Sequence, residues 1–205
     1  MKNNQSEKSV LSLKAQHGVT IVVVLIVLML MSLLGVAAAK VAMLSSQSTR
    51  YQRDYRVAYE SAQAALTDAI MDIESGSRKD MFFAGNEAQF PANCGNSGNT
   101  KGLCLYEEDP QKTPEIYAMD FANSDKVVPY GAFTGRSFAS GATGLKPVKP
   151  PRYIIERRED TVGLYANPVS GHYIPRPPIY RITAMGFGPS ESVYAVIQAD
   201  YRKAN

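Results

Sequence analysis

Few residues in this chain of 205 could do acid–base or nucleophilic chemistry. Its only histidines are His17 and His172, and its only cysteines are Cys94 and Cys104. A Ser/His/Asp arrangement would have to be built on His172, which lies in a stretch with Pro and Gly that is typical of a turn. We therefore predict a protein without enzymatic activity.

Sites for metals, phosphates and nucleic acids are also weakly indicated. The best candidate for a cation is the acidic run at residues 107–109, which is either a weak calcium site or, in the simpler interpretation, a solvated loop. Arg157 and Arg158 stand among acidic neighbours, and this pattern favours a mixed-charge surface turn over a phosphate clamp. The formal net charge is only +3 and does not indicate a nucleic-acid binder. We expect no cofactor and no resident metal.

The clearest chemical signal is a potential proteolytic site at Gly18, where a basic leader meets an apolar run. The leader, residues 1–18, carries three lysines and one glutamate, and no charged residue follows until Lys40. A secretory signal has its small-residue cleavage site after the apolar region, whereas Gly18 precedes it. Cleavage after Gly18 would therefore remove the leader charges and leave an apolar helix that begins at Val19.

The apolar run is long enough to cross a bilayer. A helix over residues 19–39 rises about 1.5 Å per residue and reaches about 31 Å, close to the hydrocarbon thickness of a membrane. The leader charges favour a cytoplasmic N-terminus, which places the chain after Lys40 outside the cytoplasm. In an oxidising compartment, Cys94 and Cys104 are expected to form a disulfide across a loop rich in Gly and Asn. The alternative is two free thiols.

A helical pattern continues from the apolar run into a water-soluble segment. Residues 40–74 contain no Gly and no Pro and are rich in helix-forming residues. Their apolar positions recur at steps of three and four and predict one buried stripe, opposite a polar side that includes Arg53, Glu60 and Asp68. The predicted stripe consists of Tyr55, Ala58, Tyr59, Ala62, Ala65, Leu66, Ala69, Ile70 and Ile73. We predict one helix over residues 19–75, ended by Gly76 in a left-handed conformation.

The rest of the chain, residues 76–205, is predicted to form a globular head. Its first half is dense in Gly, Pro, Asn and Ser and indicates loops with short strands. Three stronger strand patterns follow, at residues 153–157, 179–184 and 193–201. An antiparallel sheet of these strands, with the amphipathic half of the helix on its apolar face, would bury both apolar surfaces. The predicted fold class is α+β.

This layout resembles that of type IV prepilins. The shared features are a basic leader ending in Gly18, an apolar helix beginning at Val19, an amphipathic continuation and a small α+β head with a disulfide. Within that superfamily the chain is similar to PilX-type minor pilins. The closer likeness lies in residues 50–54 (RYQRD), 58–66 (AYESAQAAL), 151–156 (PRYIIE), 180–186 (YRITAMG) and 196–202 (VIQADYR).

The resemblance implies the type IV pilin fold and a defined processing route. Prepilin peptidase would cut after Gly18 and methylate the new amine of Val19, and the mature subunit would leave the inner membrane to enter a pilus. The implied partners are other minor pilins, a major pilin, the inner-membrane assembly platform and a PilY-type tip adhesin. The implied roles are pilus biogenesis, twitching motility and adhesion.

One position departs from the pilin pattern. Most pilins carry a Glu five residues into the mature chain, where it offsets the N-terminal amine of a neighbouring subunit, but this chain has Val23 there. A carboxylate in lipid is costly unless it is paired, so its absence indicates a subunit with no neighbour above it. We expect a subunit that primes assembly at the filament tip. The alternative is a low-abundance subunit scattered along the shaft.

Two other functions are compatible with the sequence. The first is a pseudopilin in the tip complex of a type II secretion system, which would share the same layout. The second is a membrane-anchored periplasmic binding or adhesion protein that does not polymerise. In that protein the loop-rich residues 85–150 would be the ligand surface, and Gly18 would be incidental.

Overall fold

A computed structural model of the chain describes residues 19–83, 85–141, 143–159 and 177–203. The chain divides between residues 49 and 50 into two compact units. In the first unit, the described residues 19–49 belong to helix α1 (Val19–Ser75), and every one of them is exposed. The predicted leader, including Gly18, lies outside the described residues.

The second unit combines the C-terminal part of α1 with a sheet and a long loop region. Its other elements are β1 (Leu103–Leu105), α2 (Glu115–Ala118), β2 (Val128–Pro129), β3 (Arg152–Arg158), β4 (Ile179–Phe187) and β5 (Tyr194–Arg202). The three strong strand patterns correspond to β3, β4 and β5. The predicted α+β class is confirmed.

The sheet has five strands, and its main path runs β1-β3-β4-β5, while β2 pairs with β3. The pairs β3–β4 and β4–β5 are antiparallel, as predicted, with Ile155 opposite Ile182 and Ile182 opposite Ala199. The sheet is mixed rather than wholly antiparallel, because β1 pairs parallel to β3. A parallel pair needs a long crossover connection, and the loop region between these two strands provides one.

Helix α1 packs closely on one face of the sheet because the side chains between them are small. Ala65 and Ile73 are fully buried in the main core with Tyr153 from β3. The approach is tightest at Gly186 of β4, where a Cβ would lie 2.1 Å from the backbone nitrogen of Ala62. Only glycine fits there, so Gly186 sets the helix–sheet distance.

The predicted division of this helix into a buried stripe and a polar side is wrong at three residues. Tyr55 and Tyr59 are 44% and 41% exposed, although they stand at helical spacing from buried alanines. Asp68, predicted for the polar side, is fully buried. Periodicity shows which side of a helix is apolar, but it does not show how far the packed sheet extends or which polar groups find partners beneath it.

Gly76 follows the end of α1, but its φ is not positive, so the predicted left-handed cap is wrong. Its N–H donates to the carbonyl oxygen of Met71 at 2.8 Å. A Cβ at this position would lie 2.7 Å from the Cα of Asp72. The glycine is therefore required by close backbone approach rather than by an unusual φ.

Candidate functional site

The first candidate site is the apolar N-terminal segment of α1. Among the described residues, α1 is the one helix long and apolar enough to cross a membrane by length and composition. Val19 is its first residue, and Val23 is 51% exposed in the isolated chain. Large exposed aliphatic side chains continue along the segment, which is a surface suited to lipid or to other apolar helices.

The charge pattern of this segment is equally uniform. The first turn of α1 contains no acidic residue, and the first acid of the helix is Asp54. Lys40, Arg50 and Arg53 are the only charged residues between Val19 and Asp54, and all are basic. The segment can therefore pack against apolar partners, but it offers no carboxylate to a positively charged amine.

Small residues gather near the C-terminal end of the apolar segment. Gly35 has no atom within 4 Å of the position that a Cβ would occupy, so its surface is open to a neighbouring helix. Three alanines follow at residues 37–39. Small residues allow helix backbones to approach closely in an apolar environment.

The second unit contains a fully buried ion pair that joins the end of α1 to the loop region. Arg78 donates from Nε and Nη2 to the carboxylate of Asp72, with the shortest distance 2.6 Å, and neither side chain is exposed. Nη1 of Arg78 donates to the carbonyl oxygens of Asn99 and Lys101 at 2.7 and 2.6 Å. The hydroxyl of Tyr153 donates a hydrogen bond to the carboxylate of Asp72 at 2.9 Å. The ion pair therefore connects three parts of the head: Arg78 binds the disulfide loop, and Asp72 on the helix binds Tyr153 of the sheet.

Asp68 makes a second anchor one helical turn earlier. Its carboxylate accepts from the backbone N–H of Gly131 at 2.7 Å and from the hydroxyl of Thr134 at 2.6 Å. Arg136 adds an ion pair at 3.7 Å. Both buried acids of α1 thus bind residues from the long irregular region, which has little regular structure of its own to hold it in place.

The disulfide joins Cys94 and Cys104, as the sequence predicts. The two cysteines form a small apolar cluster with Val127 and Ile154 of β3. The main core on the α1 side contains Tyr153 and Ile155, which alternate with Ile154 along β3. The disulfide itself therefore lies on the sheet face opposite the helix.

A buried carboxyl lies beside this disulfide. Glu156 is opposite Cys104 in the strand register and only 3% exposed. Burial raises its pKa to about 7; the charge of Arg181 acts in the opposite direction, and that of Asp200 adds to the rise. Arg181 itself is held by Asp200, with Nε 2.8 Å from Oδ1. The pKa of Glu156 therefore lies close to neutral pH.

The other sequence candidates take ordinary structural roles where they are described. Glu107 and Asp109 lie 3.6 and 3.9 Å from the ammonium of Lys112, and no group of three or more potential metal ligands occurs among the described residues. Arg157 is buried within β3 and pairs with Glu87 at 3.2 Å, so its placement in a surface turn is wrong. The strand continues through both arginines, where Arg157 pairs with Tyr180 and Arg158 with Ile179 of β4. His172 lies outside the described residues.

Sequence reasoning missed the ion pair of Asp72 and Arg78. A usable signal was present, because Asp72 directly precedes Ile73 in the buried stripe and follows Asp68 by four residues. Two acids on the inner side of an amphipathic helix require partners, since an unpaired buried charge is strongly unfavourable. The pattern could have indicated anchoring acids, although not the residues that bind them.

Two family models match the chain. A model described as "Type IV pilus assembly protein PilX C-term" matches residues 85–203, and one described as "PilX N-terminal" matches residues 17–67. Neither the curated proteins nor the solved structures give a significant match. Together the two matches include the apolar segment and every strand of the sheet, whereas Asp68, Asp72 and Arg78 lie between them in the unmatched residues 68–84.

Proposed function

The chain belongs to the PilX family of type IV pilus assembly proteins, and on that premise we propose that this minor pilin primes filament assembly and lies at the filament tip. The observation that carries the proposal is the apolar residue Val23. No carboxylate precedes Asp54 in α1, so the subunit cannot offset the N-terminal amine of a subunit placed above it. Such a subunit fits best where nothing lies above it.

The processing of the chain follows from the same proposal. Prepilin peptidase cuts after Gly18, removes the leader of residues 1–18, and methylates the amine of Val19. Residues 19–75 then form the assembly helix, of which residues 19–39 span the inner membrane before assembly, and residues 76–205 form the periplasmic head. After extraction from the bilayer, the same apolar surface packs against other pilin helices.

The proposed partners are other minor pilins, the major pilin, the assembly platform and a PilY-type tip adhesin. Through them the subunit supports pilus biogenesis, twitching motility and adhesion. PilX pilins are structural proteins, and we assign this chain a scaffolding role rather than an enzymatic one. Its buried charges, the pair of Asp72 and Arg78 above all, hold the head together and are not available for chemistry.

Immunogold labelling of purified filaments tests the tip location. In wild-type filaments the label is expected at one end. Val23→Glu supplies the missing carboxylate, so the labelled subunit is expected to appear along the shaft as well. Val22→Glu is the matched control, because it adds the same charge one residue away and on another side of the helix. Even labelling along wild-type filaments would refute the tip location.

Intact-mass measurement tests the processing step separately. The expected mature protein begins at an N-methylated Val19. A protein that retains Met1 would contradict both the processing and the incorporation into a filament. A deletion strain adds the functional readout: loss of pili with secretion intact is expected, whereas a pure secretion defect would assign the chain to a secretion system instead.

A further inference from the structure

Strand β5 (Tyr194–Arg202) lies at the end of the sheet, and its outer edge has no strand partner among the described residues. All of its ladder pairing is with β4 on one side. Backbone N–H and C=O groups on the other side of an edge strand are free to pair with another extended chain. The edge is nine residues long, which is long for an unpaired strand.

The first part of this edge lacks the usual protection against pairing. Residues 194–199 (YAVIQA) contain no charged residue, no Pro and no Gly. Proteins normally blunt exposed edges with charges, prolines or bulges. Charge returns only at Asp200, beyond the apolar stretch. Residues 194–199 of β5 therefore favour pairing of this edge with another strand, whereas the edge strand of a monomeric protein normally carries residues that prevent such pairing.

An apolar groove lies next to the same stretch, on the sheet face away from α1. It encloses about 510 Å³ and includes Tyr194 and Val196 of β5 and Tyr117 of α2. Tyr194 and Val196 are each 52% exposed, whereas Ala195 between them is buried against α1. Side chains of an added strand would alternate in the same way, and every second one would extend this groove.

Charges near the groove are already paired within the chain. Arg181 binds Asp200, and Lys126 binds Glu115, the residue that begins α2. Lys149 binds Glu191 at 2.7 Å near the turn between β4 and β5. Because the two charges within each pair neutralise one another, the surface complements an uncharged strand rather than an acidic or basic one.

We propose that the outer edge of β5, together with this groove, receives an extended, uncharged strand from the head of a neighbouring pilus subunit. Pairing along residues 194–199 would span about 20 Å at 3.3 Å per residue. Backbone hydrogen bonds hold the added strand, and the groove selects apolar side chains at alternate positions. This inference rests on the proposed function, since a subunit present in few copies at the tip has other pilus subunits as neighbours rather than copies of itself.

Photo-cross-linking of the full-length protein in piliated cells tests the inference. Tyr194 is replaced by p-benzoylphenylalanine, which keeps an aromatic side chain at the groove, and the cross-linked peptide is identified by mass spectrometry. The expected adduct is an uncharged segment in the head of another pilus subunit. Val196→Lys is expected to lower the adduct yield about tenfold, because the ammonium would face an apolar strand without a partner.

Matched variants separate charge from misfolding. Val196→Thr keeps the β-branched shape without a charge and is expected to retain the adduct. Gln198→Glu adds a charge to the same strand with little change of shape and is expected to lose it, which keeps the test valid if Val196→Lys does not accumulate. The disulfide of Cys94 and Cys104 reports folding of each variant.

Several outcomes would overturn the inference. They are an adduct with a second copy of this chain or with a protein outside the pilus, an adduct yield unaffected by both charged variants, and no adduct at all in piliated cells. The proposed function fails by a different result, namely normal piliation in a deletion strain. A strain that needs this chain for pili but yields no adduct would leave the function in place and remove the β5 edge as its docking surface.

Discussion

Replacement of Arg78 by Met should destabilise the head severely. The change keeps a long side chain but removes the guanidinium, which leaves the Asp72 carboxylate buried with only the Tyr153 hydroxyl as a hydrogen-bond donor. It also leaves the carbonyl oxygens of Asn99 and Lys101 without the donor at 2.7 and 2.6 Å. The disulfide loop therefore loses its link to α1.

The expected loss follows from the burial of both partners. Removing one member of a buried ion pair costs about 3 to 5 kcal/mol, since the other charge stays buried without compensation. Asp72→Asn in the Arg78→Met background removes that charge. The double variant is expected to recover about 2 kcal/mol or more relative to the sum of the two single changes. Arg56→Met is the control, because its exposed pair with Glu60 contributes at most about 1 kcal/mol.

Urea unfolding of the full chain in detergent measures these differences. The chain has 12 tyrosines and no tryptophan, so near-ultraviolet circular dichroism of tyrosine follows the head. The slope of the transition shows whether the variants unfold from the same compact state. A loss below about 1 kcal/mol for Arg78→Met, or a double variant whose loss equals the sum of the single losses, would refute the account of the pair.

Three further changes test other parts of the head. Gly186→Ala places a Cβ 2.1 Å from the nitrogen of Ala62 and should cost about 1 to 3 kcal/mol of unfolding free energy, whereas Gly35→Ala, with open space around it, should leave the head unchanged. Simultaneous Cys94→Ser and Cys104→Ser changes should lower the urea midpoint by the equivalent of about 2 to 3 kcal/mol, and an unchanged midpoint would contradict a constraining role. Glu156→Gln should flatten the pH profile of stability: the folded protein keeps on Glu156 a proton that the unfolded chain releases, because the pKa rises from its ordinary value of 4.5 to about 7. Wild-type stability should therefore fall by up to about 3 kcal/mol between pH 4.5 and 7, and an identical fall in the Gln variant would exclude this carboxyl as the cause.

The buried acids of α1 and the disulfide hold the irregular parts of the head in place. The loop region between β1 and β3 contains only short elements, α2 and β2, and cannot order itself by hydrogen bonding alone. Asp68 binds this region at Gly131 and Thr134. Asp72 binds Arg78 in the loop that precedes β1, and the disulfide ties the same earlier loop to β1. The head thus keeps one shape around α1 while the apolar segment is available for helix packing.

The sequence by itself determined the features that depend on neighbours in the chain. The charge-free run after Gly18, the helix that begins at Val19 and the strand patterns of β3 to β5 all follow from local composition and period. The disulfide follows from having two cysteines in a region expected outside the cytoplasm. Each of these properties is decided within a few residues or by the compartment, so no knowledge of packing was needed.

Only the tertiary structure decided which polar residues are buried and how the sheet is completed. Asp68 binds Thr134, 66 residues away, and Asp72 binds Tyr153, 81 residues away. The parallel pairing of β1 with β3 likewise joins distant segments. A buried charge is tolerated only where compensating groups converge on it, and that convergence is a property of the folded chain. Helical periodicity therefore placed Asp68 in water, whereas the fold supplies the donors that keep it inside.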